Sequence, residues 1–518
     1  MPLASTLSAT VEGIRARVVR VEANVGPGLP GTHIVGLADA AVKESRERIR
    51  TACRNSSLPW PKTKAMVSLS PAHVPKAGSQ FDLPIALAVM GSLDPRAQRA
   101  LSRTFIVGEL ALDGSLRPVP DVLPMLLAAQ ELLGEEGGID RIVVPRANEQ
   151  QAQLVCRGDI VLADSLAQVW AWLLGEEMLE AASARVPNAA RGRQPDFADI
   201  AGQGPERRIL EIAAAGAHHM LMIGPPGSGK SMLAERLPSI LPALDVEEMV
   251  TSTAIHAAAG IAGGGLVTHP PFIAPDPSLS KIQLIGGGSG VPRPGAVSQA
   301  HNGVLFLDEA SEIASATLDA LRIPLEKGEV RLRRSNRDVV FPADFQLILA
   351  MNPCPCGKPA HLCRCSGGQR ARYARKISGP LRDRLDIVCR TSLDNAVLNP
   401  SGAEPSADIA QRVAQARDRA THRWRTCEEH TGGALTNARV PGPWLRRHFP
   451  AQDSAMMFLS SMLARGEVTQ RGIDRILKLS WTLADLQGDS CPHLGHVAEA
   501  VDLREDQAFP TEREEVSA

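Results

Sequence analysis

The run Gly224-Pro-Pro-Gly-Ser-Gly-Lys230-Ser231 fits G-x-x-x-x-G-K-[ST] and constrains this chain more than any other stretch. Such a loop works only between a buried strand and a helix, so it dictates an α/β layout around itself. The flanks comply. His219-Met-Leu-Met-Ile223 reads as a short buried strand, and Ser231 to Leu237 reads as the start of a helix. Gly224, Pro225, Pro226, Gly227, Ser228 and Gly229 would wrap a phosphate chain with backbone N–H groups turned inward, at the positive end of that helix. Lys230 is placed for the β- and γ-phosphates, and the Ser231 hydroxyl for Mg²⁺. The expectation is nucleoside triphosphate binding.

Gly303-Val-Leu-Phe-Leu-Asp308-Glu309 has the form of a buried parallel strand whose C-terminal end meets a ligand. Asp308 suits the Mg²⁺ shell, and Glu309 suits orienting and deprotonating the attacking water. A third strand, Gln346 to Asn352, ends in an amide that could touch the γ-phosphate or the water. No guanine-reading Asn-Lys-x-Asp run occurs, so ATP hydrolysis is favoured over GTP hydrolysis.

A formal net charge of −1 gives no whole-chain bias toward nucleic acid, so any basic surface must be local. No N-terminal secretion signal and no membrane-length apolar run are present, and the expected compartment is the cytoplasm, with no membrane partner. Nine cysteines, thinly spread apart from one cluster, argue against a disulfide framework. Aromatic content of 3% makes base stacking an unpromising principal device for DNA contact.

The chain divides by pattern into an α/β unit at 1–178, a linker rich in Ala, Arg and Pro at 179–195, and a nucleotide-binding domain at 196–395. A helical domain at 405–503 and a charged tail at 504–518 follow. In the first unit, strands are expected at Ile14 to Val21, Ala65 to Leu69, Phe105 to Leu110 and Arg141 to Pro145. Helices are expected there at Ala38 to Cys53, Leu83 to Gly91 and Pro124 to Leu133, and in the last domain at Ser406 to Thr426 and Thr469 to Leu486.

The order of P-loop, Asp-Glu strand, Asn-tipped strand and helical C-terminal region resembles an AAA+ ATPase. Several runs resemble more narrowly the magnesium-chelatase-like AAA+ ATPases of the ComM/YifB family. They include Gly31-Thr-His-Ile-Val-Gly-Leu-Ala-Asp39, Val42-Lys-Glu-Ser-Arg-Glu-Arg48, Pro294-Gly-Ala-Val-Ser-Gln-Ala-His-Asn-Gly303, Asn352-Pro-Cys-Pro-Cys-Gly357, Ser378-Gly-Pro-Leu-Arg-Asp-Arg384 and Thr482-Leu-Ala-Asp-Leu486. They fall in all three proposed domains. The resemblance implies a Lon-protease-like α/β domain, a central AAA+ αβα sandwich and a C-terminal helical lid. It implies a ring-forming ATPase, expected as a homo-hexamer, doing helicase-like branch migration on single-stranded or branched DNA. That work belongs to recombination during natural transformation, with recombination proteins as further partners. It places Asn352 at the sensor-1 position and Arg384 as the arginine presented to a neighbouring subunit's ATP. Arg471 takes the sensor-2 position; Arg382 and Arg475 are the nearest rivals of these two arginines. A magnesium-chelatase-type subunit driving metal insertion and an ATP-binding regulator without turnover are the alternatives.

Two places depart from that pattern. The family's Pro-His-His-Thr run is replaced by Phe272-Ile-Ala-Pro-Asp276-Pro-Ser-Leu. In the Lon-like run Pro75-Lys-Ala-Gly78-Ser-Gln80, the nucleophile position holds Gln80, and an amide cannot serve; Ser79 is one residue early. Proteolysis is not expected.

Two clusters remain. Cys354, Cys356, Cys363 and Cys365 form two Cys-x-Cys pairs that could close a structural Zn²⁺ site, with His361 as a substitute ligand. Four free thiols or a redox pair are the alternatives. Val330 to Phe341 alternates apolar and basic residues around a turn at Ser335-Asn336, putting Arg333, Arg334 and Arg337 near the tip of a hairpin. Guanidiniums there suit DNA phosphates, though a merely soluble edge hairpin has the same pattern. Lys43, Arg46, Arg48 and Arg50 offer a competing DNA-contacting face on the first helix.

Overall fold

In the computed structural model, the described residues are 3–37, 39–76, 78–134, 138–184, 195–261, 265–288, 292–334, 337–358, 362–392, 403–427 and 435–504. They form a mixed α/β chain that divides into two compact units, 1–189 with 245–268, and 190–244 with 269–518.

The first unit is built on an eight-stranded mixed sheet. Its spatial order is Glu180–Ala181, Ile160–Ala163, Arg141–Pro145, Thr104–Ile106, Leu3–Glu12, Arg15–Gly26, Lys64–Ser70 and Gly31–Val35. The central strand, Leu3–Glu12, pairs antiparallel with Arg15–Gly26 over its whole length. Helices Ala40–Asn55, Asp82–Gly91 and Val122–Gln130 match the expected ones to within a few residues. Two differences from expectation stand out. Glu180–Ala181 is an edge strand on Ile160–Ala163, so the linker begins after it; residues 185–194 lie outside the described set. The helix Val246–Ala259, started by a reciprocal capping box between Asp245 and Glu248, belongs to this unit and not to the one carrying the P-loop.

The second unit centres on a five-stranded parallel sheet in the order Phe272–Ile273, Val304–Leu307, Gln346–Met351, Met220–Ile223, Ile387–Arg390. Its central strands are buried throughout, as a parallel sheet covered on both faces requires. Alternation assigns the faces. Met220, Met222, Phe306 and Ile348 enter one core, while Leu221, Ile223, Leu305 and Leu349 enter the other.

The first of these cores also holds Ile409, Val413, Trp424, Leu445, Ile476 and Leu477 from the C-terminal helices Ser406–Arg425, Gly442–His448 and Gln470–Gln487. The C-terminal helices therefore share this core with the sheet. A second bond set reinforces this packing. Asp386, at the base of Ile387–Arg390, pairs with Arg475 and lies 3.1 Å from His218 Nδ1. His218 Nε2 meets Thr482 Oγ1 at 2.7 Å, and Asn437 Nδ2 donates to Thr482 at 3.1 Å and to Asp485 at 2.9 Å. Burial pushes the Asp386 carboxyl up, but Arg475 and His218 outweigh it and hold the group well below the usual carboxylate range.

Candidate nucleotide site

The P-loop strand Met220–Ile223 lies between Gln346–Met351 and Ile387–Arg390, so its C-terminal end opens among three strand tips. The chain leaves the sheet at Gly224, where a Cβ would stand 1.9 Å from Thr391 Oγ1. Only glycine fits. Gly227 and Gly229 have φ of 79° and 82°, and the loop then runs into the helix Lys230–Arg236. The loop is held from outside. Ser228 Oγ donates to Pro225 O at 2.8 Å and meets Thr391 Oγ1 at 2.6 Å, while Gln203 Nε2 donates to Ser228 O at 2.9 Å. The first-turn N–H groups of a helix have no intrahelical acceptor, which suits them to phosphate oxygens.

Lys230 is buried, with Nζ donating to Gly224 O at 2.7 Å, Pro225 O at 3.0 Å and Asn352 Oδ1 at 3.4 Å. Burial lowers its ammonium pKa, and the charges of Asp308 and Glu309 pull the other way. Ser231 Oγ donates to Asp308 Oδ2 at 2.6 Å. Glu309 has φ of 45°, a left-handed conformation that costs a residue with a side chain about 1–3 kcal/mol. Flanking bonds hold it: Ala310 N–H to Ala350 O at 2.8 Å, and Glu312 N–H to Glu309 O at 2.7 Å. A cavity of about 370 Å³ is lined by the loop, Lys230, Ser231, Asp308, Glu309 and Asn352.

Thr391, Gln203 and Tyr373 also shape the site, and no local motif announces them. Tyr373, the sole tyrosine, accepts from Ser311 Oγ at 2.5 Å, and its phenol oxygen lies beside the backbone N–H of Asn352. It thereby ties the turn after Glu309 to the tip of the neighbouring strand.

Arg384 and Arg471 are elsewhere. Both line a second cavity of about 340 Å³, together with His219, Glu326, Arg439, Arg475 and Lys478. His219 immediately precedes the strand that ends at Gly224, so this cavity opens at the opposite end of that strand from the P-loop. Arg384 pairs with Glu326 and donates to Pro380 O at 2.5 Å. Arg475, the rival to Arg471, is committed to Asp386.

Cys354, Cys356, Cys363 and Cys365 converge, their sulfurs all within 4.8 Å of one another; His361 lies outside the described residues. The basic hairpin forms as Glu329–Arg334 and Arg337–Pro342, with Val330, Val339 and Phe341 buried. Arg333 is 78% exposed, with its guanidinium 3.4 Å from Asp338. Arg334 and Arg337 pair through their backbones; their side chains and the turn residues Ser335 and Asn336 lie outside the described set.

Residues 21–148 match the family described as "Subunit ChlI of Mg-chelatase", 196–397 match "Magnesium chelatase, subunit ChlI", and 403–504 match "Magnesium chelatase, subunit ChlI C-terminal". An uncharacterized protein of Mycobacterium tuberculosis is 44% identical over 98% of this chain and 99% of its own length. The competence protein ComM of Haemophilus influenzae is 37% identical over 97% of this chain and 98% of its own. The uncharacterized protein YifB of Escherichia coli is 37% identical over 95% of each. The chain belongs to the magnesium-chelatase-like ComM/YifB family.

The run Thr482-Leu-Ala-Asp-Leu486, one of those that carry the ComM/YifB resemblance, lies in the seam between sheet and helices, with Thr482 and Asp485 buried. Where this member of the ComM/YifB family lacks the histidine run, Phe272 stacks on Phe306 at 5.9 Å and Asp276 Oδ1 accepts Ser278 N–H at 2.8 Å. In the N-terminal unit Gln80 is buried, Ser79 Oγ bonds to Glu109, and the buried Lys76 ammonium donates to Pro71 O. Ser79 and Lys76 thus face different partners and form no nucleophile–base pair. On the first helix Arg48 is engaged with Asp82 at 2.7 and 3.0 Å, which removes it from the basic face expected there; the Lys43 side chain lies outside the described residues. No described helix is long and apolar enough to cross a membrane.

Proposed function

We propose that this chain is an ATPase that assembles into a ring and moves or remodels DNA during recombination, by helicase-like branch migration in natural transformation. The observation that carries the reading is the joining of Lys230, Ser231, Asp308, Glu309 and Asn352 around one cavity of about 370 Å³. In this reading residues 1–178 are a Lon-protease-like domain without its nucleophile, 196–395 an AAA+ domain and 405–503 its lid.

Each residue's task follows from its position. Lys230 exchanges the carbonyls of Gly224 and Pro225 for anionic phosphate oxygens, a stronger charge-assisted pairing. Ser231 Oγ and Asp308 Oδ2, 2.6 Å apart, are hard oxygen donors of the type Mg²⁺ takes. When bound, Mg²⁺ neutralises charge on the β- and γ-oxygens. Glu309 accepts the proton of the attacking water, and Asn352 orients that water or the γ-phosphate. Arg384 and Arg471, lying away from the chain's own P-loop, would complete a neighbouring subunit's site by stabilising developing phosphoryl charge. That requirement favours a ring, expected as a hexamer.

DNA would meet the hairpin through Arg333, Arg334 and Arg337, by phosphate contact without base readout. The hairpin leads directly into the strand ending at Asn352, which offers a path from nucleotide state to DNA position. The name of the Haemophilus influenzae relative, a competence protein, agrees with this setting. The family descriptions also support a second reading, an ATPase subunit that drives metal insertion. ATP hydrolysis measured alone and with single-stranded, duplex and branched DNA tests the proposal. Stimulation by branched DNA is expected, and hydrolysis indifferent to every DNA form would overturn the DNA reading.

A further inference from the structure

The four cysteine sulfurs are closer than unconnected side chains need to be. Sγ distances are 3.1 Å for Cys354–Cys356, 3.4 Å for Cys354–Cys363 and 3.7 Å for Cys356–Cys363, and Cys365 completes the group within 4.8 Å. Four Zn–S bonds of about 2.3 Å at tetrahedral angles place sulfurs about 3.8 Å apart. A disulfide brings them to about 2.0 Å, and all four cysteines are unbridged. Thiols are weak hydrogen-bond partners, so the grouping gains little energy unless something sits at its centre. A tetrathiolate site carries net negative charge. The surroundings answer it: Lys358 and Arg364 are exposed beside the cysteines, and no Asp or Glu lies between Asp344 and Asp383.

The position of the cluster matters as much as its donors. Gly357, in the first cysteine turn, has φ of 65° and its N–H donates to Cys354 O at 3.0 Å. A Cβ on it would lie 3.1 and 3.2 Å from Cγ and Cδ of Pro226 and 3.9 Å from Asn352 Nδ2. The cysteine turn therefore rests on the phosphate loop itself. Upstream, Cys354 follows Asn352 by two residues; downstream, the helix Gly367–Ala374 carries Tyr373 back to the Asn352 N–H.

We infer that Cys354, Cys356, Cys363 and Cys365 hold a structural Zn²⁺, and that this ion seats the phosphate loop by fixing Gly357 against Pro226. Binding releases the cysteine protons to solvent and involves no electron transfer. With the ion in place, strand tip, cysteine turn and returning helix form one closed frame around the nucleotide cavity. The seating role rests on the ATP-site reading above; the metal assignment does not.

The test uses the full-length protein purified without chelator. Metal content is read by release with a mercurial and a chromogenic dye, and site symmetry by the visible bands of the Co²⁺-substituted protein. Nucleotide affinity is read by equilibrium binding of a fluorescent ATP analogue, without turnover. One Zn²⁺ per chain and a tetrahedral thiolate Co²⁺ spectrum are expected, with both lost in Cys356→Ser/Cys363→Ser. Analogue affinity should fall about tenfold or more in that variant, in the range typical when support around a bound group is removed.

Gly357→Ala keeps all four sulfurs and guards against a folding artefact. It should retain Zn²⁺ yet weaken analogue binding, because its methyl presses on Pro226. Wild-type protein without stoichiometric metal, or with these cysteines as disulfides by intact mass, would overturn the metal site. Unchanged affinity both in metal-free protein and in Gly357→Ala would overturn the seating role. Zinc-loaded wild type that binds no analogue would refute the ATP reading and the seating role while leaving the metal assignment standing.

Discussion

Lys230 Nζ lies 3.4 Å from Asn352 Oδ1, so the P-loop lysine touches the tip of the adjacent strand. The same ammonium is nearer to the loop carbonyls of Gly224 and Pro225, at 2.7 and 3.0 Å. It rests on its own loop, within reach of whatever enters the cavity.

Lys230 and Glu309 should separate binding from turnover. In the proposed function Lys230 compensates charge already present on the bound triphosphate, whereas Glu309 acts on the water alone. Lys230→Ala is expected to lose nucleotide binding. Glu309→Gln should bind normally and lower kcat by about 100-fold or more, the scale of general-base catalysis. Equilibrium binding and steady-state hydrolysis on both variants decide it, and ordinary turnover in either would contradict the assignment.

Tyr373→Phe removes one oxygen, and with it the bond accepted from Ser311 and the approach to the Asn352 N–H. Analogue binding should hold, since Tyr373 does not line the cavity. Turnover should drop severalfold as Glu309 and Asn352 lose their common tie, and stability should fall by about 1–2 kcal/mol. A denaturation midpoint and kcat equal to wild type would show the tie to be idle.

The contiguous lining of the cavity was legible from residues alone: loop, Asp308-Glu309 strand and Asn352 strand each announce themselves within ten residues. Thr391, Gln203 and Tyr373 do not, because they reach the site from other elements and their types suit many surfaces. The strand Leu3–Glu12 escapes pattern reading for a different reason. Its inward positions include Thr6, Ser8 and Thr10, with Thr6 Oγ1 bonded to Thr104 O at 2.8 Å and Thr10 Oγ1 to Pro75 O at 3.3 Å. Buried hydroxyls hide the apolar alternation. Nor does periodicity say which end of the sheet Arg384 and Arg471 occupy: Arg384 sits in the turn after the short helix Gly379–Arg382, Arg471 in the first turn of Gln470–Gln487, and the two segments are brought together by the Asp386–Arg475 pair.

His219 makes the second unit acid-sensitive. Its imidazole is buried at the base of the P-loop strand, where Nδ1 accepts Leu347 N–H at 3.1 Å, and burial holds its pKa down to about 3 against an ordinary 6.5. A folded pKa below the unfolded one leaves stability intact above 6.5 and erodes it as pH falls toward 3. The slope is at most about 1.4 kcal/mol per pH unit. Urea midpoints at about pH 7.5 and about pH 5.5 should therefore fall further apart in wild type than in His219→Asn. Equal pH sensitivity of the two proteins would remove His219 from the account.

Arg384→Ala should be inactive alone and partly rescued by mixing with Lys230→Ala. Each variant lacks a different half of a shared site, so mixed interfaces rebuild some complete ones. The structural basis is the position of Arg384 at the strand end opposite the P-loop, alongside Arg471. Arg471→Ala should then behave like Arg384→Ala in the same mixing experiment. Hydrolysis by a monomer, or an Arg471→Ala protein that Lys230→Ala cannot rescue, would confine the second cavity to a structural role.

The proposed DNA contact can be placed by comparing two surfaces. If the hairpin carries it, replacing Arg333, Arg334 and Arg337 with Ala should leave basal hydrolysis nearly intact, because Arg333 pairs with Asp338 and not with any residue of the nucleotide cavity. DNA stimulation and strand displacement should collapse, and the salt dependence of DNA affinity should flatten by about one unit of slope per lost phosphate contact. The first helix of the N-terminal unit is the rival, but its Arg48 is engaged by Asp82, leaving Arg46, Arg50 and Arg54 as its exposed arginines. A weaker rival surface tilts the expectation toward the hairpin. Deleting residues 1–180 should then cost less DNA affinity than the triple substitution at either of two salt concentrations. The reverse ranking would move the DNA to the N-terminal unit.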